Sequence, residues 1–330
     1  MIGFILFPLL FPARNLDLSD KLGVATSNPD LLPNTIESVL GQNFENYEII
    51  VVDNACLDST KKLVESFKSI KAQIRYICEP DIGLHNARHA GARASNGNIL
   101  LYIDDDIICD KNLLREILKF YADTNVGCVG GKILPKWEVY PPSWLTQFPK
   151  WYLSILDDED GPKEVQWIYG CNFSIRKELL FELGGFNPDA FGDKNMWCMR
   201  GDGEIGLLRK VHNVGKKVIY NPNAIVWHFI PKSRLTVEYF KERAFKSGIE
   251  ASFSKYRYND DSFHSLNLLF RAGAFGIYYT LHSLLALIPN KNSIKHKVTS
   301  SYYKGRCLYE LNLSRDMKLL EFVKEESWWK

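Results

Sequence analysis

Three consecutive aspartates follow a short apolar segment, and this arrangement constrains the chain more than any other feature. Residues 99–103, Ile-Leu-Leu-Tyr-Ile, have the length and residue types of a buried β-strand. Asp104, Asp105 and Asp106 come directly after it. Three like charges at one strand end raise the free energy of the fold unless a cation or a cationic group lies among them. The carboxyl ends of strands are also where open α/β sheets bind their ligands.

The chemistry of these side chains favours a divalent cation. Asp104 and Asp106 offer hard oxygen ligands, which suit Mg²⁺ or Mn²⁺ bridging the diphosphate of a substrate. The stretch by itself is equally compatible with a solvated acidic turn. The choice between a metal site and such a turn therefore depends on the neighbouring segments.

Strand and helix patterns alternate along the first 130 residues. This alternation predicts an α/β fold with a mostly parallel sheet covered by helices on both faces. The predicted strands are 22–26, 47–52, 74–78, 99–103 and 126–130, and the predicted helices are 31–42, 61–68, 83–95 and 111–121. Further on, strands are predicted at 168–175, 217–220 and 224–227, and helices at 177–183, 202–213 and 235–256.

Composition narrows the class of protein. A chain of 330 residues that is 46% hydrophobic can bury one large core or two smaller ones. A net charge of +2 gives no sign of a nucleic-acid-binding surface. Seven scattered cysteines, none in a Cys-x-x-Cys pair, predict reduced buried thiols in a cytosolic protein. The first 12 residues resemble neither a signal peptide nor a membrane span.

The most apolar stretch is 266–288, and it leaves two alternatives open. It carries Arg271 and His282, which are costly in the middle of a bilayer, so it is a weak candidate for a membrane span. It is predicted either to lie in a membrane surface, where the basic residues of 291–304 suit anionic head groups, or to pack on the rest of the protein.

Four sequence blocks occur in a recognisable order. They are Tyr-Glu-Ile-Ile-Val-Val-Asp-Asn (47–54), Gly-Leu-His-Asn-Ala-Arg-His-Ala-Gly-Ala (83–92), Leu-Tyr-Ile-Asp-Asp-Asp (101–106) and the segment 170–186, which begins Gly-Cys-Asn-Phe; Gly-Asp-Gly-Glu follows at 201–204. Together they resemble the family 2 glycosyltransferases. The resemblance implies the GT-A fold, with a Rossmann-like, mostly parallel sheet and, here, a C-terminal helical extension.

The resemblance also implies a division of the chain. Residues 1–21 are expected to be an N-terminal leader, 22–133 the nucleotide-sugar-binding half, 134–260 the acceptor-binding and catalytic half, and 261–330 a helical, membrane-associated or packed segment. The donor would be a nucleoside-diphosphate sugar of the UDP, GDP or dTDP type. Its expected contacts are Thr26, Asn28, Asp53, Arg88, Asp104 and Asp105.

Each of these assignments has a structural alternative. Asp53 matches the carboxylate that meets the nucleotide base, but it could instead cap a helix. Arg88 matches an arginine that faces the donor, but it could be an ordinary surface charge. The metal, Mg²⁺ or Mn²⁺, is expected on Asp104 and Asp106 with His228, although a lone histidine after an apolar strand more often has a structural role.

The acid–base and acceptor residues follow from the same resemblance. Inverting transfer needs a carboxylate that takes the proton of the acceptor hydroxyl. Asp202 matches that position and Glu204 is its rival, while either could instead interact with a helix dipole. Trp137, Trp144 and Asn172 are expected on the acceptor side because indoles stack on sugar rings, although the tryptophans could simply cover an irregular lobe.

The resulting hypothesis is a glycosyltransferase of the hexosyltransferase type, metal assisted and inverting. It would serve cell-surface polysaccharide or lipopolysaccharide-type synthesis with a glycan or lipid-linked acceptor, in the cytoplasm at the inner face of a membrane. A nucleotidyltransferase is one alternative, but its basic, glycine-rich phosphate loop is missing from 22–28. A nucleotide-sugar-binding protein with a decayed catalytic site is the other. No nucleic-acid partner is expected.

Overall fold

The computed structural model describes residues 2–7, 31–54, 56–68, 74–188, 201–258 and 265–325. The strands in these ranges are β1 (Ile2–Phe7), β2 (Tyr47–Asp53), β3 (Ile74–Cys78), β4 (Ile99–Asp104), β5 (Ile107–Cys109), β6 (Val126–Trp137), β7 (Lys163–Glu164), β8 (Phe173–Arg176) and β9 (Lys217–Ile230). The helices are α1 (Leu32–Leu40), α2 (Asp58–Lys68), α3 (Leu84–Ala94), α4 (Leu113–Leu118), α5 (Lys177–Glu182), α6 (Gly203–Asn213), α7 (Val237–Tyr258), α8 (Ser265–Leu285), α9 (Ser293–Arg315) and α10 (Met317–Lys324).

The strands form a single sheet in the order β3-β2-β1-β4-β8-β6-β9-β5, with β7 paired to β9. The first four strands in this order are parallel, whereas β8 is antiparallel to both β4 and β6. Beyond β8, β6 and β9 run parallel to each other. The predicted fold class, an α/β sheet with helices on both faces, is confirmed.

The two faces of the sheet bury separate cores, and β2 shows why. Ile49 and Val51 pack on the side of α1, α2 and α4, whereas Ile50 and Val52 pack on the side of α3, α5 and α6. Successive side chains of a strand point to opposite faces, so a continuous apolar run is the signature of a strand covered on both sides. This burial fixes the strand ends, and with them the polar residues that follow.

The sheet begins earlier than the sequence pattern indicates. β1 lies between β2 and β4 and pairs in parallel with both, so Ile2–Phe7 supplies an interior strand of the sheet. The prediction that the sheet starts at Leu22 and that the first 21 residues only lead into it is therefore wrong. The run 22–26 lies outside the described residues. The two strands predicted at 217–220 and 224–227 are one continuous strand, β9.

The predicted cysteine chemistry needs a second correction. Cys56 and Cys78 form a disulfide with their Cα atoms 4.9 Å apart, so the expectation that all seven cysteines are reduced thiols is wrong. The bridge joins the segment before α2 to the end of β3. The spacing of the cysteines does not predict this bridge, because it is the pairing of β2 with β3 that brings together two residues 22 positions apart.

The C-terminal helices have a core of their own. Ile249 and Phe253 of α7 pack with Tyr309 and Leu313 of α9. Helices α7 and α9 approach so closely that a Cβ added at Gly248 would lie 2.1 Å from the carbonyl oxygen of Tyr302. Helix α8 lies against α9. Among the described helices, none combines the length and the apolar character needed to cross a membrane.

Candidate active site

The acidic strand ends meet at one edge of the sheet. Asp53 ends β2 and Asp104 ends β4, and β1 lies between these two parallel strands with Phe7 opposite Asp104. The carboxyl ends of parallel strands share an edge, so the two carboxylates are held on the same side of the molecule. This is the edge that the sequence predicts for the ligand.

Strand register brings a histidine to the aspartates. After the turn at Asp105 and Asp106 the chain enters β5, whose Ile107 pairs with His228 of β9. The Nε2 atom of His228 consequently lies 3.3 Å from Oδ2 of Asp106. Two predicted metal-binding residues that are 122 positions apart in the sequence are thus neighbours.

An arginine that sequence reasoning missed contacts both of these residues. Arg234, on the turn after β9, donates from Nη1 to Nε2 of His228 at 2.8 Å and from Nη2 to Oδ2 of Asp106 at 3.2 Å. The other imidazole nitrogen, Nδ1, donates to the carbonyl oxygen of Leu153 at 3.1 Å. An arginine six positions after a histidine is not a sequence pattern that indicates a site. Only the tertiary structure reveals the contact between Arg234 and His228.

Burial and charge set the three aspartates apart. Burial, with a further contribution from Asp106, raises the pKa of Asp104. Burial also raises the pKa of Asp105 well above its usual value, and Asp105 is only 3% exposed. Burial would likewise raise the pKa of Asp106, but His228 and Arg234 more than offset it and hold that pKa below its usual value.

The donor set fits a divalent cation shared with a substrate. Oδ1 of Asp106 is buried without a hydrogen-bond partner among the described residues, as is Oδ2 of Asp105. His228 donates through Nδ1 to a backbone carbonyl, as metal-binding histidines usually do, while its Nε2 accepts from Arg234 in this structure. Within the described residues, no three His, Cys, Asp or Glu side chains are close enough to hold a metal alone. Mg²⁺-type sites commonly use one or two carboxylates and take the remaining ligands from substrate phosphates and water.

A second ion pair lies beside the aspartates. Arg88 of α3 is 2% exposed, and its Nη2 atom lies 2.7 Å from Oε1 of Glu204 in the first turn of α6. Glu204 adds to the raised pKa of Asp104, so its charge is close to the aspartates. Gly170 packs against the pair, and a Cβ there would lie 1.9 Å from Oε1 of Glu204. Arg88 is therefore a buried partner of Glu204 rather than a surface charge.

Asp202 has a different environment from Glu204. Its side chain is 3% exposed and its Oδ2 lies 2.6 Å from Nε of Arg257, in α7. Tyr258 donates to the same oxygen, and Nδ2 of Asn187 donates to Oδ1 at 2.6 Å. Both oxygens of Asp202 are thus occupied by protein groups, which does not fit the predicted role of general base.

The donor-side residues are positioned by the loops after β2 and β3. Asp53 accepts from the backbone N–H of Leu57 at 2.7 Å and from the hydroxyl of Tyr76 at 3.0 Å, and it is fully buried. Next to it, Asn54 accepts from the N–H of Gly83, which holds the loop before α3. Thr26 and Asn28, predicted in the donor site, lie outside the described residues.

Of the three predicted acceptor residues, Asn172 is buried and the two tryptophans are partly buried. Asn172 is fully buried, and its Nδ2 donates to the carbonyl oxygen of Ala224 at 3.0 Å. Its contact with an acceptor stays a prediction, which this burial does not favour. Trp144 packs edge-on against Phe240 at 5.1 Å, and Trp137 borders the same cluster. The alternative that these tryptophans cover an irregular lobe fits their positions better than sugar stacking does.

Exposed aromatic rings lie elsewhere on this lobe. Trp151 and Trp167 are 40% and 46% exposed, and Trp167 packs edge-on against Tyr169 at 4.9 Å. Tyr169 precedes Gly170, which packs against Glu204, so Trp167 is linked to Glu204 through these two neighbours. Trp167 was not among the residues predicted on the acceptor side.

The sheet, its acidic edge and the helices on both faces define the GT-A fold. The fold is shared with the mannosyltransferase of Pyrobaculum calidifontis solved in complex with GDP-Man and Mn²⁺, with a TM-score of 0.58, 17% identity, and coverage of 94% of this chain and 86% of that one.

Sequence relatives point to one family. Residues 24–184 match the model of glycosyl transferase family 2. The glucosyl-dolichyl phosphate glucuronosyltransferase of Haloferax volcanii is 26% identical over 221 residues, which cover 65% of this chain and 69% of that protein. Succinoglycan biosynthesis protein ExoM of Rhizobium meliloti is 23% identical over 244 residues, covering 71% and 74%. Residues 24–184 of the chain are therefore similar to glycosyl transferase family 2, and the relatives that match over a longer stretch are glycosyltransferases or act in polysaccharide synthesis.

Proposed function

We propose that this enzyme transfers a sugar from a nucleoside-diphosphate donor, with inversion, to a hydroxyl of a glycan or lipid-linked acceptor. The observation that carries the proposal is the meeting of Asp104, Asp106 and the Arg88–Glu204 pair at the carboxyl edge of a sheet whose sequence is similar to family 2. A buried acidic edge needs a cation, and a sugar transfer needs a partly accessible carboxylate close to it.

Asp104 and Asp106 would hold Mg²⁺ or Mn²⁺ together with oxygens of the substrate, in agreement with the Mn²⁺ bound to the mannosyltransferase of the same fold. His228 would join them only where Arg234 releases its Nε2 atom. When bound, the ion would supply charge stabilisation for the departing nucleoside diphosphate. Arg234 occupies Oδ2 of Asp106 and leaves Oδ1 without a protein partner. A guanidinium so placed can instead bind a diphosphate oxygen, because arginine pairs equally well with phosphate and with carboxylate.

Glu204 is the proposed general base. It is 26% exposed in its side chain, and Arg88 keeps one of its oxygens in place. A carboxylate fixed in this way can accept the proton of an acceptor hydroxyl as that oxygen attacks the sugar. Asp202 is instead proposed to position the start of α6, where Glu204 lies.

The acceptor is proposed to be presented at a membrane surface. The relative from Haloferax volcanii carries a dolichyl phosphate in its name, and the exposed rings of Trp151 and Trp167 offer stacking surfaces for a sugar. The disulfide between Cys56 and Cys78 is at odds with a reducing compartment, so the predicted cytoplasmic location is not part of this proposal.

The proposal is tested by the thermal shift that nucleotides produce. Ligands that bind only the folded state raise its melting temperature, by an amount that reflects their concentration relative to Kd. UDP, GDP or dTDP with Mn²⁺ is expected to raise the Tm of the wild type, and Asp104→Ala is expected to abolish this rise. Asp160→Ala, which removes an 86% exposed carboxylate, is the control and should keep the full shift.

A second measurement separates transfer from its alternatives. Slow release of nucleoside diphosphate from a nucleotide sugar, stopped by a chelator, is expected of a glycosyltransferase. Binding without release would support a decayed site, and release of pyrophosphate from a nucleoside triphosphate would support a nucleotidyltransferase. An equal shift in the wild type and in Asp104→Ala would contradict the metal site.

A further inference from the structure

One face of α8 is apolar and exposed along its whole length. Leu266, Phe270, Ile277, Leu281 and Leu284 follow one another at helical spacing, and Phe270 and Ile277 are 77% and 71% exposed. These five residues are called the outer face of α8. Contiguous apolar surfaces of this kind are uncommon on monomeric soluble proteins and mark sites of interaction.

The ionisable residues of α8 are directed away from this face. Arg271 donates to Oε1 of the fully buried Glu310 at 3.3 Å, and its guanidinium also lies 5.4 Å from the ring of Tyr256. His282 shares a hydrogen bond of 2.9 Å with His296 of α9. Both groups, which make the sequence a weak membrane span, are therefore engaged in helix packing, and the outer face carries no charge.

The segment that bears the outer face is strongly basic. From Ser265 to Tyr309 the chain has six Lys or Arg residues and no Asp or Glu, although the whole protein has 41 basic and 39 acidic residues. Lys291 lies in the turn after α8 and Lys295 lies in the first turn of α9. Both are exposed and follow the exposed apolar residues Leu287 and Ile288. Apolar surface and positive charge thus occur together in the helical hairpin formed by α8, α9 and the turn between them.

We propose that the outer face of α8, with Lys291 and Lys295, docks on the surface of an anionic lipid membrane. An exposed apolar helix face flanked by lysines is the form in which helices lie within the head-group layer. Each lysine near an anionic surface adds electrostatic attraction. The inner side of α8 stays packed on α9, so the helix binds along its length.

Charge argues against a second copy of the chain as the occupant. Two such faces packed together would bring their basic turns close to each other, whereas anionic head groups neutralise them. The inference rests on the membrane-presented acceptor proposed above and gives it a surface. Its test uses lipid alone, so it can fail or succeed independently of sugar transfer.

The experiment is co-sedimentation of the full-length protein with vesicles. One set contains phosphatidylcholine alone, and the other has a quarter of it replaced by phosphatidylglycerol. Binding is expected to the anionic set, and high salt is expected to weaken it because screening shortens the range of the lysine charges.

Variants divide the surface into its parts. Ile277→Glu places a charge in the outer face and is expected to lower the partition onto anionic vesicles roughly tenfold or more. Lys291→Ala and Lys295→Ala are each expected to lower it about fivefold. Val214→Glu, at a residue that is 53% exposed outside the hairpin, is the matched control and should bind like the wild type.

Several outcomes would overturn the inference. One is the absence of binding to anionic vesicles, and another is equal loss of binding in Ile277→Glu and Val214→Glu. A dimer in light scattering that Ile277→Glu dissociates would assign the face to a second copy of the chain. Nucleotide-induced thermal shifts measured on Ile277→Glu should equal those of the wild type, which separates loss of docking from loss of the donor site.

Discussion

Two carboxylates only two positions apart have opposite surroundings, and the roles proposed for them follow from this difference. Both oxygens of Asp202 accept hydrogen bonds, from Asn187, Arg257 and Tyr258. Glu204 is instead partly exposed beside the aspartates. A base must reach the proton it takes, so accessibility favours Glu204 as the proposed base. The sequence pattern places both residues near the start of a helix and cannot tell them apart.

Glu204→Gln is expected to lower kcat by roughly 10²–10⁴-fold, because the amide cannot accept the proton. The nucleotide-induced thermal shift should change little, since donor binding does not need this base. Asp202→Asn is the comparison: its main expected effect is a lower melting temperature, because a buried arginine loses its charge partner. A larger loss of kcat, at an unchanged melting temperature, in Asp202→Asn than in Glu204→Gln would reverse the assignment.

A buried histidine makes stability depend on pH. His89 accepts a hydrogen bond from the backbone N–H of Phe186 at 2.9 Å, and burial, aided by the charges of neighbouring residues, lowers its pKa to about 3. The unfolded chain binds a proton at this side chain near pH 6.5, before the folded protein does. The contribution of His89 to stability is therefore complete above pH 6.5 and is lost as the pH falls towards 3.

The unfolding free energy is expected to fall by about 1.4 kcal/mol for each pH unit below 6.5 on account of His89 alone. Urea denaturation at pH 7, 6 and 5 measures this slope. His89→Gln keeps an acceptor for the Phe186 N–H but does not titrate, so its slope should be shallower. Parallel slopes for the two proteins would contradict the assignment.

At the scale of elements, the segments that follow β2 and β3 are fastened at several points. Asn54 accepts from Gly83 before α3, Asp53 accepts from Leu57 before α2, and the disulfide joins Cys56 to Cys78. These contacts hold the donor side of the sheet edge. They act together because the two segments follow neighbouring parallel strands.

Replacing both bridged cysteines, Cys56→Ser with Cys78→Ser, is expected to lower the unfolding free energy by roughly 3 kcal/mol. A crosslink across 22 positions removes entropy from the unfolded chain, and its loss restores that entropy. Thermal unfolding with and without reductant measures the effect. Reductant should lower the Tm of the wild type and leave the double variant unchanged; a wild type insensitive to reductant would count against the bridge.

At the scale of the whole molecule, one arginine joins the C-terminal helices to the catalytic part. Arg257 of α7 pairs with Asp202 at the start of α6 and donates to the carbonyl oxygens of Val323 and Glu325, at 2.7 and 2.6 Å. Its side chain is 9% exposed, so these partners replace water almost completely. Arg257 thereby connects α7 and the end of α10 to the start of α6, the helix that carries Glu204.

Arg257→Gln is expected to lower the unfolding free energy by about 3–5 kcal/mol, because it leaves a buried carboxylate without its charge partner. Chemical denaturation gives the value directly. Lys246→Gln, which breaks the more exposed pair with Glu242 on the same helix, should cost about 1 kcal/mol or less. Equal effects of the two changes would show that the arginine does not fasten the two parts.

The sequence by itself determined the elements and the edge on which the site lies. Apolar runs such as those of β2 and β4 mark strands buried on both faces, and a parallel sheet places the residues after them on one edge. The ordered blocks that resemble family 2 glycosyltransferases supplied Asp104, Arg88 and Glu204 as candidates. These are local properties of the chain, so they can be read without the fold.

Only the tertiary structure decided which side chains meet. It made Ile2–Phe7 an interior strand, joined Cys56 to Cys78, brought Arg234 onto Asp106 and His228, and buried Asp202 against Arg257. The physical reason is that charge pairing, crosslinking and burial depend on distances between residues far apart in the chain. Strand register and helix packing set those distances, and neither leaves a pattern in the local sequence.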